Sequence, residues 1–283
     1  MQEISPGIYY ETIYSGVTLG AILLPQGTVM IDAPLRAEDG RACRAALSYL
    51  GGNSNRLLIS LDAHPDRTLG SRVMDCTIVA HQKTAQVFRG RPAVFKGQNA
   101  DSGSDWETYD DAVGTRWALP DLTFTHELNL YWGPPDLLLE HRPGPTLGAI
   151  WVTIHAAKVV FVGDAVLADQ PPFLTNADIP AWLEALDHLL ANYSDYTIVS
   201  GRDGLVSRDI VQTLKSNLSH ILDILEQAAK ADISADATES LIPALLPHLK
   251  VPPQIEDQYA QRLRHGLAQY YARHYRATDI PND

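Results

Sequence analysis

The stretch that decides the fold runs from residue 58 to residue 70 and reads LISLDAHPDRTLG. It begins in an apolar run that has the length of a buried strand. The polar segment that follows places Asp62, His64 and Asp66 at alternate positions. Side chains at strand ends converge on ligand-binding crevices in α/β proteins, and carboxylate with imidazole suits Zn, Mn or Fe. The segment alone leaves open a second interpretation, a turn in which Asp66 caps the next helix.

Three further segments follow in order: RPGPTLG at 142–148, FVGD at 161–164 and IVSGRDG at 198–204. Together with residues 58–70 they resemble the metallo-β-lactamase superfamily. That family carries an H-x-H-x-D-H motif after a strand, then a P-G-H-T-P-G loop, a G-D turn and a G-H-G loop. Its opening hairpins are matched by Gly20, Asp32 and Pro34, and a histidine often found in it is matched by His81. The resemblance spans residues 8–205, and several ordered motifs are far more specific than one.

The resemblance implies an α/β (α+β) fold, the four-layer αββα sandwich. Apolar patterns predict mixed strands and helices up to residue 206, including one strand over residues 122–130. From residue 207 the pattern is helical, with prolines interrupting it around 242–253. We therefore expect a metallo-β-lactamase-like domain at 1–206 and a helical extension at 207–283 packed on it. The extension would cover part of the crevice or form a homodimer contact.

The first metal site of the family is only partly matched. Asp62 stands where the family has its first histidine, whereas His64 and the bridging Asp164 keep the family's residue types. Pro145 takes the position of the histidine in the P-G-H-T loop and offers no side-chain ligand. The resemblance therefore leaves a residual single site of Asp62, His64 and Asp164, suited to one Zn, Mn or Fe ion. If that site were active, Asp66 would be the candidate catalytic residue.

The second metal site keeps its two aspartates but loses both histidines. Asp66 and Asp164 remain, while Arg67 and Arg202 replace the last histidine of the first motif and the histidine of the G-H-G loop. Buried carboxylates need a neutralising cation. Arginine can supply it through fixed hydrogen bonds and never loses its proton. The sequence therefore predicts that a salt-bridge cluster of Asp66, Arg67, Asp164 and Arg202 takes the place of the second metal.

Two functions from different classes follow. The first is a protein without two-metal hydrolase activity and without a metal cofactor, which binds a ligand in the old crevice or serves as an interaction partner. The second is a single-metal hydrolase acting on a small ester-like or thioester-like substrate. A third possibility is that Arg67 and Arg202 bind an anionic ligand, although the nearby aspartates compete for them.

Composition narrows the partners. The 283 residues carry a formal net charge of −12, which repels phosphate backbones and anionic membrane surfaces. A small molecule or self-association is therefore expected, rather than nucleic acid or membrane. The two cysteines do not indicate a disulfide framework, and with no leader pattern at the N-terminus they favour a cytoplasmic location. An acidic cluster at 105–111, within a loop predicted over 97–114, is interpreted as a solvated face.

Overall fold

Two β-sheets lie face to face in a computed structural model that describes residues 1–97, 102–248 and 255–276. Residues 98–101 of the predicted loop, and residues 249–254 and 277–283 of the predicted extension, lie outside the described residues. Within the described ranges, no helix is long and apolar enough to cross a membrane.

The first sheet has seven strands in sequential order, β1 to β7. Strands β1 to β4 pair antiparallel, whereas β4 to β7 are parallel. The parallel strands read as near-continuous apolar runs because both of their faces are covered. The seven strands are Gln2–Ser5, Ile8–Glu11, Leu19–Leu24, Gly27–Ile31, Arg56–Ile59, Thr77–His81 and Leu122–Phe124.

The second sheet has six strands in the order β13-β12-β11-β10-β9-β8. Its β11 and β12 are parallel and its other pairs are antiparallel. The strands β8 to β13 are Glu127–Leu130, Leu137–His141, Ile150–Ile154, Val159–Gly163, Thr197–Ser200 and Gly204–Val206.

The helices cover the outer faces of the two sheets. They are α1 to α7 in chain order: Ala37–Tyr49, Pro65–Thr68, Gln82–Gly90, Ile179–Asn192, Arg208–Lys230, Ile242–Leu245 and Glu256–Tyr275. Helix α1 packs Cys43 and Leu47 on the first sheet. Helices α4, α5 and α7 share one buried cluster with the second sheet. A separate apolar layer lies between the sheets. These layers confirm the predicted αββα sandwich.

The single strand predicted over residues 122–130 is wrong. Leu122–Phe124 ends the first sheet as β7, and Glu127–Leu130 begins the edge of the second as β8. Between them lies Thr125, whose carbonyl oxygen is 2.8 Å from His81 Nε2. The apolar pattern runs through the corner because both strands bury residues against the same inter-sheet layer, so periodicity did not mark the change of sheet.

Candidate functional site

The predicted site residues meet where several strands end. Asp32 follows β4, Asp62 and His64 follow β5, Asp164 follows β11 and Arg202 follows β12. In each sheet the strands involved are parallel, so their carboxyl ends open toward the same edge of the sandwich. Sheet topology thus brings together residues as far apart in the sequence as Asp32 and Arg202.

Arg67 lies at the centre of this group, on the short helix α2. Its side chain is fully buried and its Nη1 donates to Asp32 Oδ2 at 3.1 Å. It also forms ion pairs with Asp62, at 3.4 Å from Nε to Oδ1, and with Asp164 through Nη2. A Cβ atom at Gly201 would lie 2.8 Å from Nη1, so the glycine is required for the guanidinium to fit.

Arg202 bridges the aspartates on the other side. Its Nη1 is 3.0 Å from Asp66 Oδ2, its Nε is 3.1 Å from Asp164 Oδ1, and its Nη2 donates to His64 Nδ1 at 2.9 Å. A weaker contact of 3.4 Å joins Nη1 to Asp105 Oδ2. The Arg202 side chain is only 3% exposed, so these are buried charge-assisted contacts. We call Asp32, Asp62, Asp66, Arg67, Asp164 and Arg202 the arginine–aspartate network.

The network sets the protonation of its carboxyl groups. Burial raises a carboxyl pKa, but for Asp66 the interactions with His64 and Arg202 outweigh it and hold the pKa well below its usual range. Arg202 and Arg67 likewise overcome burial and lower the pKa of Asp164 to about 2. At Asp32 burial dominates and raises the pKa to about 7, although Arg67 and the Leu61 N–H favour the charged form. Four buried aspartates share two arginines, so the positive charge does not balance the negative charge, and Asp32 is the carboxyl group at which burial favours the protonated form.

The structure brings the four residues of the predicted cluster together. Arg202 contacts both Asp66 and Asp164, and Arg67 pairs with Asp164 and also with Asp32 and Asp62. The sequence interpretation had used Asp32 only to match a hairpin. Its left-handed backbone, with φ of 59°, and its complete burial are properties that a one-dimensional pattern does not reveal.

The interpretation of residues 105–111 as a solvated face is wrong at its first two positions. Asp105 is 31% exposed and contacts Arg202, and the backbone N–H of Trp106 donates to Asp66 Oδ1 at 2.8 Å. Trp106 itself is buried. The tryptophan between the acidic residues was the available signal, because an aromatic side chain of that size is seldom left in solvent.

Phe173 covers the network from the outside. Its ring centre is 4.4 Å from the Arg202 guanidinium carbon and 4.6 Å from the centre of the His64 ring. From the other side Arg262 of α7 stacks on it at 3.9 Å. Arg262 is buried and donates through Nη2 to the Gly103 carbonyl oxygen at 2.8 Å. The helical extension therefore contributes directly to closing this region, as the sequence had allowed.

A crevice of about 180 Å³ lies beyond Phe173. His64 and Pro145 belong to its wall, so the predicted lost ligand position faces this space. The extension adds His265 from α7. His141, which the sequence places near the same loop, instead stacks on His81 with ring centres 3.8 Å apart, and its Nε2 is 2.9 Å from the Leu147 carbonyl oxygen.

The donor atoms are not gathered as a metal site. Among the residues that the structure describes, no group of three or more histidine, cysteine, aspartate or glutamate side chains is arranged to hold a metal ion. His64 Nδ1 receives a hydrogen bond from Arg202, and both Asp62 and Asp164 pair with Arg67. The three residues of the predicted residual site therefore all have arginine partners.

Comparison with known proteins agrees with this fold. Residues 73–201 match the family model for the metallo-beta-lactamase superfamily. A metallo-beta-lactamase family protein from Thermus thermophilus superposes with a TM-score of 0.67 at 19% identity, over 96% of this chain and 94% of that one. A metallo-beta-lactamase from Pontibacter korlensis superposes with a TM-score of 0.57 at 18% identity, over 77% of this chain and 97% of that one.

A third structure, the sec-alkylsulfatase Pisa1 from Pseudomonas sp., gives a TM-score of 0.64 at 14% identity. The match covers 96% of this chain but 49% of the sulfatase, so the chain spans about half the length of that enzyme. No curated protein matches the sequence. At these identities the likeness concerns the fold. The chain is a metallo-β-lactamase-fold protein, which confirms the resemblance predicted from its ordered motifs.

Proposed function

We propose that this protein lacks two-metal hydrolase activity, that the arginine–aspartate network stands in for the second metal, and that the crevice binds a small molecule. The observation that carries the proposal is the position of Arg202. Its guanidinium joins Asp66 to Asp164, the two aspartates that the family's second metal would share, at 3.0 and 3.1 Å.

The residues present do not fit the family's metal pair. A guanidinium keeps its proton at any relevant pH, so Arg67 and Arg202 repel a cation from the carboxylates that they contact. Pro145 supplies no donor atom where the first metal would need a histidine. A Cβ atom at position 201 would lie 2.8 Å from Arg67 Nη1, so the glycine there leaves the room that the arginine needs.

The burial of the arginine–aspartate network supports the same proposal, because it limits the access of substrate and water. Two-metal hydrolysis needs the substrate and an activated water beside the catalytic ions. Here Asp66 and Arg67 are fully buried, Asp164 is 2% exposed, and Phe173 lies over Arg202. A single-metal hydrolase at Asp62, His64 and Asp164 is disfavoured for the same reasons, since all three side chains are engaged by arginine. We further propose a cytoplasmic location, because Cys43 and Cys76 are both free.

Restoring the three histidines tests the proposal. The variant Arg67→His/Pro145→His/Arg202→His removes both cations and adds three imidazole ligands beside the remaining aspartates. We expect it to bind one to two equivalents of Zn²⁺ in equilibrium dialysis, where the native chain binds far less than one. Metal should also raise the thermal unfolding midpoint of the variant, since binding to the folded state alone stabilises it.

The matched control replaces the same positions with glutamine, which is polar but a poor zinc ligand. Arg67→Gln/Pro145→Gln/Arg202→Gln should remain metal-free, so that a gain confined to the histidine variant reports coordination rather than loss of positive charge. The single substitution Arg202→His provides a milder version should the triple variant be poorly folded without metal. A folded histidine variant that binds no more zinc than the native chain would mean that these positions do not form the former metal site.

A further inference from the structure

We propose that the crevice binds a small carboxylic acid with an apolar body, and that Arg91 and Thr146 donate hydrogen bonds to its carboxylate group. The inference rests on the proposed function in that it takes the crevice as the binding site, and it adds the chemical class of the ligand. Neither residue occupies a metal-ligand position of the family's motifs, and both lie outside the arginine–aspartate network.

Arg91 is a partly buried cation with one buried, unused donor atom. It directly follows α3 and belongs to the crevice wall. Its guanidinium carbon lies 4.5 Å from the centre of the Trp117 ring and 5.2 Å from that of Phe88, so its charged group lies against two aromatic rings. Its Nη1 is buried without a hydrogen-bond partner among the residues that the structure describes. A buried N–H of a charged group is costly to leave unpaired, which makes an anionic acceptor the natural partner.

A second unused polar atom lies on the same wall. Thr146 Oγ1 is also buried and has no hydrogen-bond partner within the described ranges. It sits in the loop at 142–148 and borders the crevice beside Pro145. A carboxylate offers two acceptor oxygens and could receive a hydrogen bond from each of these groups. An amine would be repelled by Arg91, whose pKa is lowered by burial only to about 10, so the side chain stays charged at neutral pH.

The remaining wall is mainly apolar and the space is small. Val87 and Leu147 stand at exposed positions along it, and Trp106 and Phe173 contribute aromatic surface. The crevice volume of about 180 Å³ falls below the ~300–1,000 Å³ of drug-sized pockets, which favours a short-chain or single-ring acid as the occupant.

Three probes of equal chain length separate charge from apolar contact. Isothermal titration calorimetry of the native full chain with hexanoate, 1-hexanol and hexylamine should give tightest binding for hexanoate, at least tenfold tighter than 1-hexanol. Arg91→Met keeps an apolar stem but removes the guanidinium, and should weaken hexanoate binding at least tenfold while leaving 1-hexanol unchanged. Thr146→Val should weaken hexanoate binding by a smaller factor than Arg91→Met does, and should leave 1-hexanol binding unchanged.

Arg89→Met is the matched control, because Arg89 lies two residues earlier, is exposed and does not border the crevice. It should leave all three affinities unchanged. Retained 1-hexanol binding in Arg91→Met shows that the crevice is intact. Equal affinities of the native chain for hexanoate and 1-hexanol, or an unaltered hexanoate affinity in Arg91→Met, would overturn the carboxylate inference and leave the binding function standing. Failure of all three probes to bind the native chain would overturn both the inference and the ligand-binding half of the proposed function.

Discussion

Arg202→Met is expected to lower the free energy of unfolding by about 3–5 kcal/mol, because it leaves Asp66 and Asp164 without their shared partner. Asp66 is fully buried and Asp164 is 2% exposed, so water cannot replace the lost contacts. The loss is a large fraction of the ~5–15 kcal/mol that holds a typical domain together. Chemical denaturation followed by circular dichroism measures it.

The matched control for that substitution is Arg264→Met. Arg264 pairs with Glu239 at 2.8 Å, but both side chains are more than half exposed, so we expect a change of about 0–1 kcal/mol. Adding Asp66→Asn to Arg202→Met should recover part of the stability by removing one unpaired charge. If Arg202→Met lowered the free energy of unfolding no more than Arg264→Met does, the arginine–aspartate network would not be a buried electrostatic centre.

The second large effect is a pH dependence that originates at Asp32. Its pKa is raised by burial to about 7, against about 3.9 in an unfolded chain. Between these values the folded state holds the proton that the unfolded state releases, so this group's contribution to stability is complete below about pH 4 and is lost as the pH rises through 7. The slope for one proton is at most about 1.4 kcal/mol per pH unit.

Asp32→Asn removes this titration and keeps a residue type that tolerates the left-handed backbone at position 32. His81 and the partly buried His141 have pKa values lowered by loss of solvent, so their contribution to the stability of both proteins increases as the pH rises. The informative quantity is therefore the difference between the two unfolding free energies. It should shift in favour of the variant as the pH rises from 5 to 7.

Asp223→Asn, at an exposed position on α5, is the comparison for a simple change of net charge. Its plot of unfolding free energy against pH should stay parallel to that of the native chain. Parallel curves for Asp32→Asn as well would mean that Asp32 is ionised throughout this range, paired by Arg67 alone.

The sequence was sufficient for the architecture and for the centre of the site because both depend on short ordered motifs. Each motif lies at the carboxyl end of a buried strand: the segment at 58–70, the G-D turn and the loop that contains Arg202. The ends of parallel strands meet in space. The order of these motifs therefore predicts that Arg67 and Arg202 lie close to Asp66 and Asp164.

What the sequence could not supply depends on contacts between distant segments. Phe173 follows the G-D turn in an irregular stretch, and its position between Arg202 and Arg262 arises only when α7 packs against the crevice. The unused donor atom on Arg91 is likewise not visible in the sequence, because the hydrogen-bond partners of a side chain depend on tertiary packing. Asp32 was visible in the sequence, but its role as an Arg67 partner was not.

Metal content per chain is the most direct measurement of the central claim, that arginine has taken the place of the second metal. It would be determined by elemental analysis after purification without chelators, and again after incubation with Zn, Mn and Fe followed by removal of free ions. We predict occupancy far below one ion per chain throughout. Two tightly held ions per chain would contradict the account of Arg67 and Arg202, and one would return the residual site of Asp62, His64 and Asp164 to consideration as a hydrolase centre.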